Sequence, residues 1–249
     1  KLDAAVEKVR AVAAVPPRAV VADFARLADV ARLADEVAAA APRLDLLVNN
    51  AGLIRDRYVV TDDGIEQTFQ VDHLAPFLLT LRLLAPLAAA GDARVLTVAS
   101  SAHANRRDLP LDQLARPARY RAFEVYARAK GCNILFTAEL ARRGAGAGIA
   151  AYAVHPGVVA TRFARDGDTR GWLRGLVTLL RPLMRSPERG ADGLLRLAAT
   201  DAPPPSGAYV ADRRVREPAS YARDAGTAAA LWALSETLVA SHLPSEGRA

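Results

Sequence analysis

The sequence predicts an α/β fold built on a doubly wound parallel sheet. Apolar runs of strand length alternate with longer helical patterns from Arg18 onward. Those runs are apolar at consecutive positions, so both faces of each strand are expected to be covered, as happens when crossover helices join parallel strands. With 249 residues, 51% of them hydrophobic, the chain is long enough to bury one such core.

The opening KLDAAVEKVR reads as a helix, because Leu2, Val6 and Val9 recur at helical spacing between charged positions. RAVVADF, residues 18–24, reads as a strand, and VARLADEVAAAA as the helix after it. LDLLVNNAG is a strand that runs into a loop. The long pattern IEQTFQVDHLAPFLLTLRLLAPLAAA is helical, with a bend expected at Pro76. ARVLTVASS is the next strand, YRAFEVYARAKGCNILFTAELARR the next helix, and GIAAYAVHPG the strand that follows. PERGADGLLRLAAT is helical, APPPS at 202–206 a turn, GAYVA a short last strand, and AGTAAALWALSETLVASHL a closing helix. The segment 162–184 breaks the alternation. It carries Trp172 and a Leu-rich stretch, and reads equally as a flap over a ligand or as a surface helix pair. No linker or internal repeat divides the chain, so residues 1–249 are read as one domain.

Composition excludes several classes. The net charge of +6 would suit a nucleic acid, but the arginines are scattered from Arg10 to Arg248 and no nucleic-acid motif is present. Their densest cluster, Arg106, Arg107, Arg116, Arg119 and Arg121, falls in a proline-marked loop and reads as solvated surface. No apolar run reaches the ~18 residues of a membrane-spanning helix, and no signal peptide is visible at the given start. The single cysteine, Cys132, sits in a helical pattern and reads as a core side chain. It allows no disulfide framework or Cys-rich metal site, so no metal is expected and a cytoplasmic location is.

In open α/β sheets ligands sit beyond the carboxyl ends of the strands. Three such ends carry chemistry: VNNAG at 48–52, TVASS at 97–101 and VHPG at 154–157. Asn and Gly there let the backbone approach a flat ligand, and Ser100 adds a hydroxyl. In EVYARAK, Tyr126 and Lys130 stand four apart and project from one helix face. A phenol has an ordinary pKa of ~10, and a nearby ammonium favours its phenolate, which makes Tyr usable as an acid/base. Only Lys1, Lys8 and Lys130 are lysine among 33 basic residues. Lysine at 130 therefore suggests a need for a compact ammonium rather than a planar guanidinium.

Taken in this order, the motifs resemble the short-chain dehydrogenase/reductase family across nearly the whole chain. The stretches DGIEQTFQV, HLAPFLLT, NILFTAELARR and YAVHPGVV resemble its retinol-dehydrogenase-like branch in particular. The resemblance implies a Rossmann-type fold and an NAD(P)-dependent oxidoreductase that interconverts an alcohol and an aldehyde or ketone by hydride transfer. The substrate would be a small, apolar carbonyl or alcohol, the cofactor NADP with NAD as the other option, and the assembly a homo-oligomer paired through the two long helices. Tyr126 would exchange the proton with the substrate oxygen, Ser100 would hydrogen-bond that oxygen, and Lys130 would lower the phenol pKa and hold the nicotinamide ribose. Asp23 matches the residue that meets the adenine, Asn50, Ala51 and Gly52 the adenine-ribose side, and Pro156, Gly157 and Thr161 the nicotinamide amide. Ser100 is preferred to the adjacent Ser101, and His103 reads as a structural loop residue.

Two departures stand out. Asp72 occupies the place of the family's catalytic asparagine; it could pair with Lys130 or hold a proton, and a reduced activity is expected. The family's first strand, its T-G-x-x-x-G-I-G loop, the helix after it and the second strand have no counterpart ahead of KLDAAVEKVR. GAGAG at 144–148 cannot stand in, because it follows a helix and precedes a strand. The expectation is an N-terminally incomplete sheet that binds dinucleotide poorly. Competing readings are a non-catalytic binding module that kept the fold, and a nucleotide-sugar epimerase, which also uses Y-x-x-x-K.

Overall fold

The computed structural model describes residues 2–157 and 186–244. Helix α1 (Leu2–Arg10) has the expected spacing but buries none of its side chains. Helix α2 (Leu27–Ala40) buries Leu27, Val30 and Ala34. Strand β1 (Leu46–Asn49) leads into the loop that carries Asn50–Gly52.

The long helical pattern resolves into pieces. A short helical turn, α3 (Gln67–Phe69), opens where the buried Glu66 carboxylate accepts the Thr68 and Phe69 amides at 2.9 and 2.7 Å. A π-turn follows over Gln70–Leu74, and then α4 (Ala75–Arg82) and α5 (Leu84–Ala88). Proline explains both breaks. Pro76 has no N–H for the Asp72 carbonyl, and the chain widens just before it, with the Ala75 amide reaching back to Gln70. Pro86 likewise cannot serve Arg82, and the helix is interrupted at Leu83.

Strand β2 (Ala93–Val98), helix α6 (Ala122–Gly144), strand β3 (Ile149–His155), helix α7 (Pro187–Ala199), strand β4 (Tyr209–Ala211) and helix α8 (Ala225–Val239) match the sequence reading closely. A fifth strand, β5 (Arg214–Val215), was not expected. It turns back from β4 through Asp212 and Arg213, both at positive φ, as a two-residue hairpin demands. The sheet order is β1-β2-β3-β4-β5, parallel except for the last pair.

Alternation along the strands divides the core. Val95 and Ala151 face the cluster built by α2, α4, α6 and α8, whereas Leu96, Tyr152 and Val154 face Leu197 of α7. Cys132 is fully buried in the first cluster, and burial pushes its thiol up, so the core role holds. His73 also lies there, in a ring of Phe69, Phe77 and Phe136. Helix α8 packs along α6, with Trp232 against Phe136 and Phe77, and Arg143 over the Trp232 ring.

One expectation fails. Residues 18–24 form no strand, and Val21 is exposed. Among the described residues only β2 pairs with β1, which leaves the other edge of β1 open, with Leu46 and Val48 37% and 40% exposed. A strand without a hydrogen-bonding neighbour has nothing to fix its extended backbone.

Burial of His73 has a measurable consequence. Desolvation lowers its pKa to about 4, from an ordinary value near 6.5. Its contribution to stability is complete above about pH 6.5 and is lost as pH falls toward about 4, on the order of 3 kcal/mol in total. His103 is lowered too, with the same sign, whereas Glu66, raised by burial, acts in the opposite direction. Urea unfolding at pH 7 and pH 5 is expected to show a loss at the lower pH that shrinks in His73→Phe.

Candidate active site

The parallel strands end at Asn49, Val98, His155 and Ala211 on one edge of the sheet, so the loops after them converge there. Helix α6 packs on the sheet, and its Lys130 and Asn133 reach the Val98 carbonyl at that edge. Lys130 and Asp72 form a buried ion pair, Nζ to Oδ2 3.0 Å, with side chains 3% and 0% exposed. The other carboxylate oxygen of Asp72 accepts the Leu53 amide at 2.7 Å. Lys130 also donates to the Val98 carbonyl at 3.4 Å, and its Nζ lies 5.5 Å from the Tyr126 ring centroid.

Four influences act on the Tyr126 phenol. Burial pushes it above the ordinary phenol range, the Lys130 ammonium draws it down, the Asp72 carboxylate pushes it up, and a hydrogen bond with the Ser100 side chain draws it down; the balance is upward. For Lys130, burial opposes the charge, yet Asp72 and Tyr126 more than offset it and hold the ammonium above its usual range. The ion pair therefore divides the influence of Lys130. The charge that lowers the phenol pKa is itself balanced by a carboxylate.

Ser100 ends the β2 extension and caps a short 3-10 helix (Ser101–Asn105), where its hydroxyl accepts the Ala102 amide at 3.2 Å. Ser101 is exposed, so the hydroxyl beside Tyr126 is that of Ser100. His103 fixes this loop. Its Nδ1 donates to the Ser100 carbonyl at 2.6 Å, its Nε2 accepts the Ala219 amide at 3.2 Å, and its carbonyl accepts the Tyr221 hydroxyl at 3.1 Å. Both ring nitrogens are thus engaged, which leaves His103 the structural residue it was read to be.

Gly52 covers the ion pair. A Cβ at this position would sit 3.1 Å from Lys130 Nζ and 3.3 Å from Asp72 Oδ2, so a larger residue would displace both. Asn50 and Ala51 beside it are exposed. Pro156 and Gly157 follow β3 at the same edge, and Gly157 has a φ of +82°, where a side chain would be strained. Asp23 ends no strand. Its carboxylate accepts the Ala25 amide in the turn that leads to α2. Thr161 and the segment 162–184 lie outside the described residues. The sequence reading missed His73, Asn133 and the Val98 carbonyl, which support Lys130 from behind.

The arrangement fits a dinucleotide: Gly52 and Gly157 leave backbone open to a flat ligand, and Lys130 supplies a fixed donor. No glycine-rich strand, loop and helix for a pyrophosphate occurs among the described residues.

A parallel sheet with serine, tyrosine and lysine gathered at its carboxyl edge has the organisation of a doubly wound dinucleotide-binding protein. The chain belongs to the short chain dehydrogenase family, whose model matches residues 1–170. It is 35% identical to human "Retinol dehydrogenase 14" over 206 residues, which is 82% of this chain and 61% of that protein. It is 36% identical over 240 residues to "Putative daunorubicin C-13 ketoreductase DnrU" of Streptomyces sp. strain C5, 96% of this chain and 80% of that one. The crystal structure of an uncharacterized protein from Mycobacterium paratuberculosis aligns with a TM-score of 0.69 at 34% identity, covering 96% of this chain and 82% of that chain. The chain spans 61% of the length of the retinol dehydrogenases it matches. No helix among the described residues is long and apolar enough to cross a membrane.

Proposed function

We propose that this chain is an NAD(P)-dependent oxidoreductase that interconverts an alcohol and an aldehyde or ketone, with Tyr126 as the acid/base. The observation that carries the reading is the cluster in which the half-buried Ser100 and Tyr126 are hydrogen-bonded and the buried Lys130 lies beneath the Tyr126 ring. A bound nicotinamide cofactor, NADP by preference, would supply or accept the hydride. In carbonyl reduction the Tyr126 O–H gives its proton to the developing alkoxide, and Ser100 donates a hydrogen bond to the same oxygen. In alcohol oxidation Tyr126 must first be a phenolate, which the Lys130 ammonium favours and Asp72 opposes.

Lys130 would hold the nicotinamide ribose, Pro156, Gly157 and Thr161 would flank the nicotinamide amide, Asn50, Ala51 and Gly52 would line the adenine-ribose side, and Asp23 would meet the adenine. The substrate is a small apolar carbonyl or alcohol; the names of the retinol dehydrogenases and the ketoreductase agree with a carbonyl or alcohol as the reacting group. The single buried thiol suits a reducing cytoplasm. Pairing through the two long helices is the assembly the family likeness suggests. Turnover of NADPH with a panel of aliphatic aldehydes and ketones tests the reading. No reaction across the panel at saturating NADPH, by folded protein, would refute it.

The Asp72–Lys130 pair favours a second reading, a binding module that kept the fold without the chemistry, because it counters the charge Tyr126 would need. The same assay separates the two.

A further inference from the structure

Lys130 and Asn133 stand three apart on α6 and reach for one acceptor. The Val98 carbonyl takes Lys130 Nζ at 3.4 Å and Asn133 Nδ2 at 3.1 Å. That carbonyl is free for side chains because β1 ends at Asn49, opposite Thr97, one residue before it. With its NH2 committed there, Asn133 turns Oδ1 toward His73, whose Nδ1 lies 3.3 Å away. Two facing acceptors would repel, so Nδ1 carries the ring proton and donates. Nε2 then accepts from Ser235 Oγ on α8 at 2.9 Å, in competition with the Leu231 carbonyl 2.8 Å from the same hydroxyl.

His73 follows Asp72 in the same π-turn. Two cross-links therefore join that turn to α6, Asp72 to Lys130 and His73 to Asn133, with all four residues at most 2% exposed. The aromatic rings around His73 would accept a phenylalanine at less cost than an imidazole, whose polar atoms must be paired when buried. The cost is matched by what the bond fixes: the position of α6 relative to the π-turn.

We propose that His73 and Asn133 are positioning residues: their hydrogen bond sets the register of α6 against the π-turn, and so holds Lys130 Nζ between Asp72 Oδ2 and the Val98 carbonyl. The inference rests on the reading of Lys130 as the ammonium of the site. Its test needs neither cofactor nor substrate, so its outcome is separate from that of the turnover assay.

The chain has only three lysines, so carbon-13 labelling at lysine Cε gives three signals, with Lys130 assigned by its loss in Lys130→Arg. In the parent protein the Lys130 signal is expected well apart from that of the exposed Lys8. His73→Phe and Asn133→Leu, each still folded by circular dichroism, are expected to move it toward Lys8 and broaden it. His73→Asn keeps a donor at the Nδ1 position and is expected to retain the parent signal. A packing role gives the opposite order, since phenylalanine fills the space and asparagine does not. The proposal is overturned by an unmoved Lys130 signal in His73→Phe and Asn133→Leu, or by His73→Asn shifting it as far as His73→Phe. Failure of all three variants to fold would assign the pair to stability alone, and overturn it too.

Discussion

Tyr126→Phe is expected to lower kcat for carbonyl reduction by ~10²- to 10⁴-fold, the usual worth of a positioned proton donor. KM is expected to change little, because phenylalanine keeps the ring that lies over Lys130 and loses only the hydroxyl hydrogen-bonded to Ser100. Steady-state kinetics at saturating NADPH separates the two parameters. A variant that turned over at the parent rate would remove Tyr126 from the chemistry, and with it the reading of Ser100 and Lys130 as its partners.

Asp72→Asn is expected to make the protein a better alcohol dehydrogenase near neutrality. The carboxylate disfavours the phenolate, and its removal lowers the Tyr126 pKa while freeing the Lys130 charge to act on Tyr126 alone. Asparagine keeps an acceptor for the Leu53 amide, so the loop over the site has no reason to move. Oxidation requires phenolate, so its pH profile is expected to shift toward acid, with a gain in rate at a pH on the rising limb. The profile of kcat against pH for both proteins checks this. If rate and profile are unchanged, Asp72 has no part in the proton chemistry.

The legible part of the fold was the part that chain-local physics decides. Tyr126 and Lys130 were legible as neighbours because helical spacing alone puts them on one face, and Ser100 as a residue just past the end of strand β2, Ala93–Val98. Residues 18–24 failed for the opposite reason. Their apolar pattern is that of a strand, but a strand exists only with a partner, and residues 18–24 pair with no strand among the described residues. Pro76 announced a disturbance but not its form. The π-turn it induces carries Asp72 and His73 into the site side of α6, and only the folded chain shows both cross-links. His73 and Asn133 were unreadable in sequence, since a histidine among phenylalanines and an amide in a helix carry no local signal until they meet. The Asp72–Lys130 pairing was one of two options in the sequence; the 3.0 Å contact selects it.

The most direct test of hydride transfer uses NADPH deuterated at the transferable position of the nicotinamide C4, with a carbonyl substrate found in the panel assay. Mass spectrometry of the alcohol product is expected to show one deuterium on the former carbonyl carbon in the parent protein, and little product in Tyr126→Phe. Alcohol formed without deuterium, or formed equally by the Tyr126→Phe variant, would contradict the account.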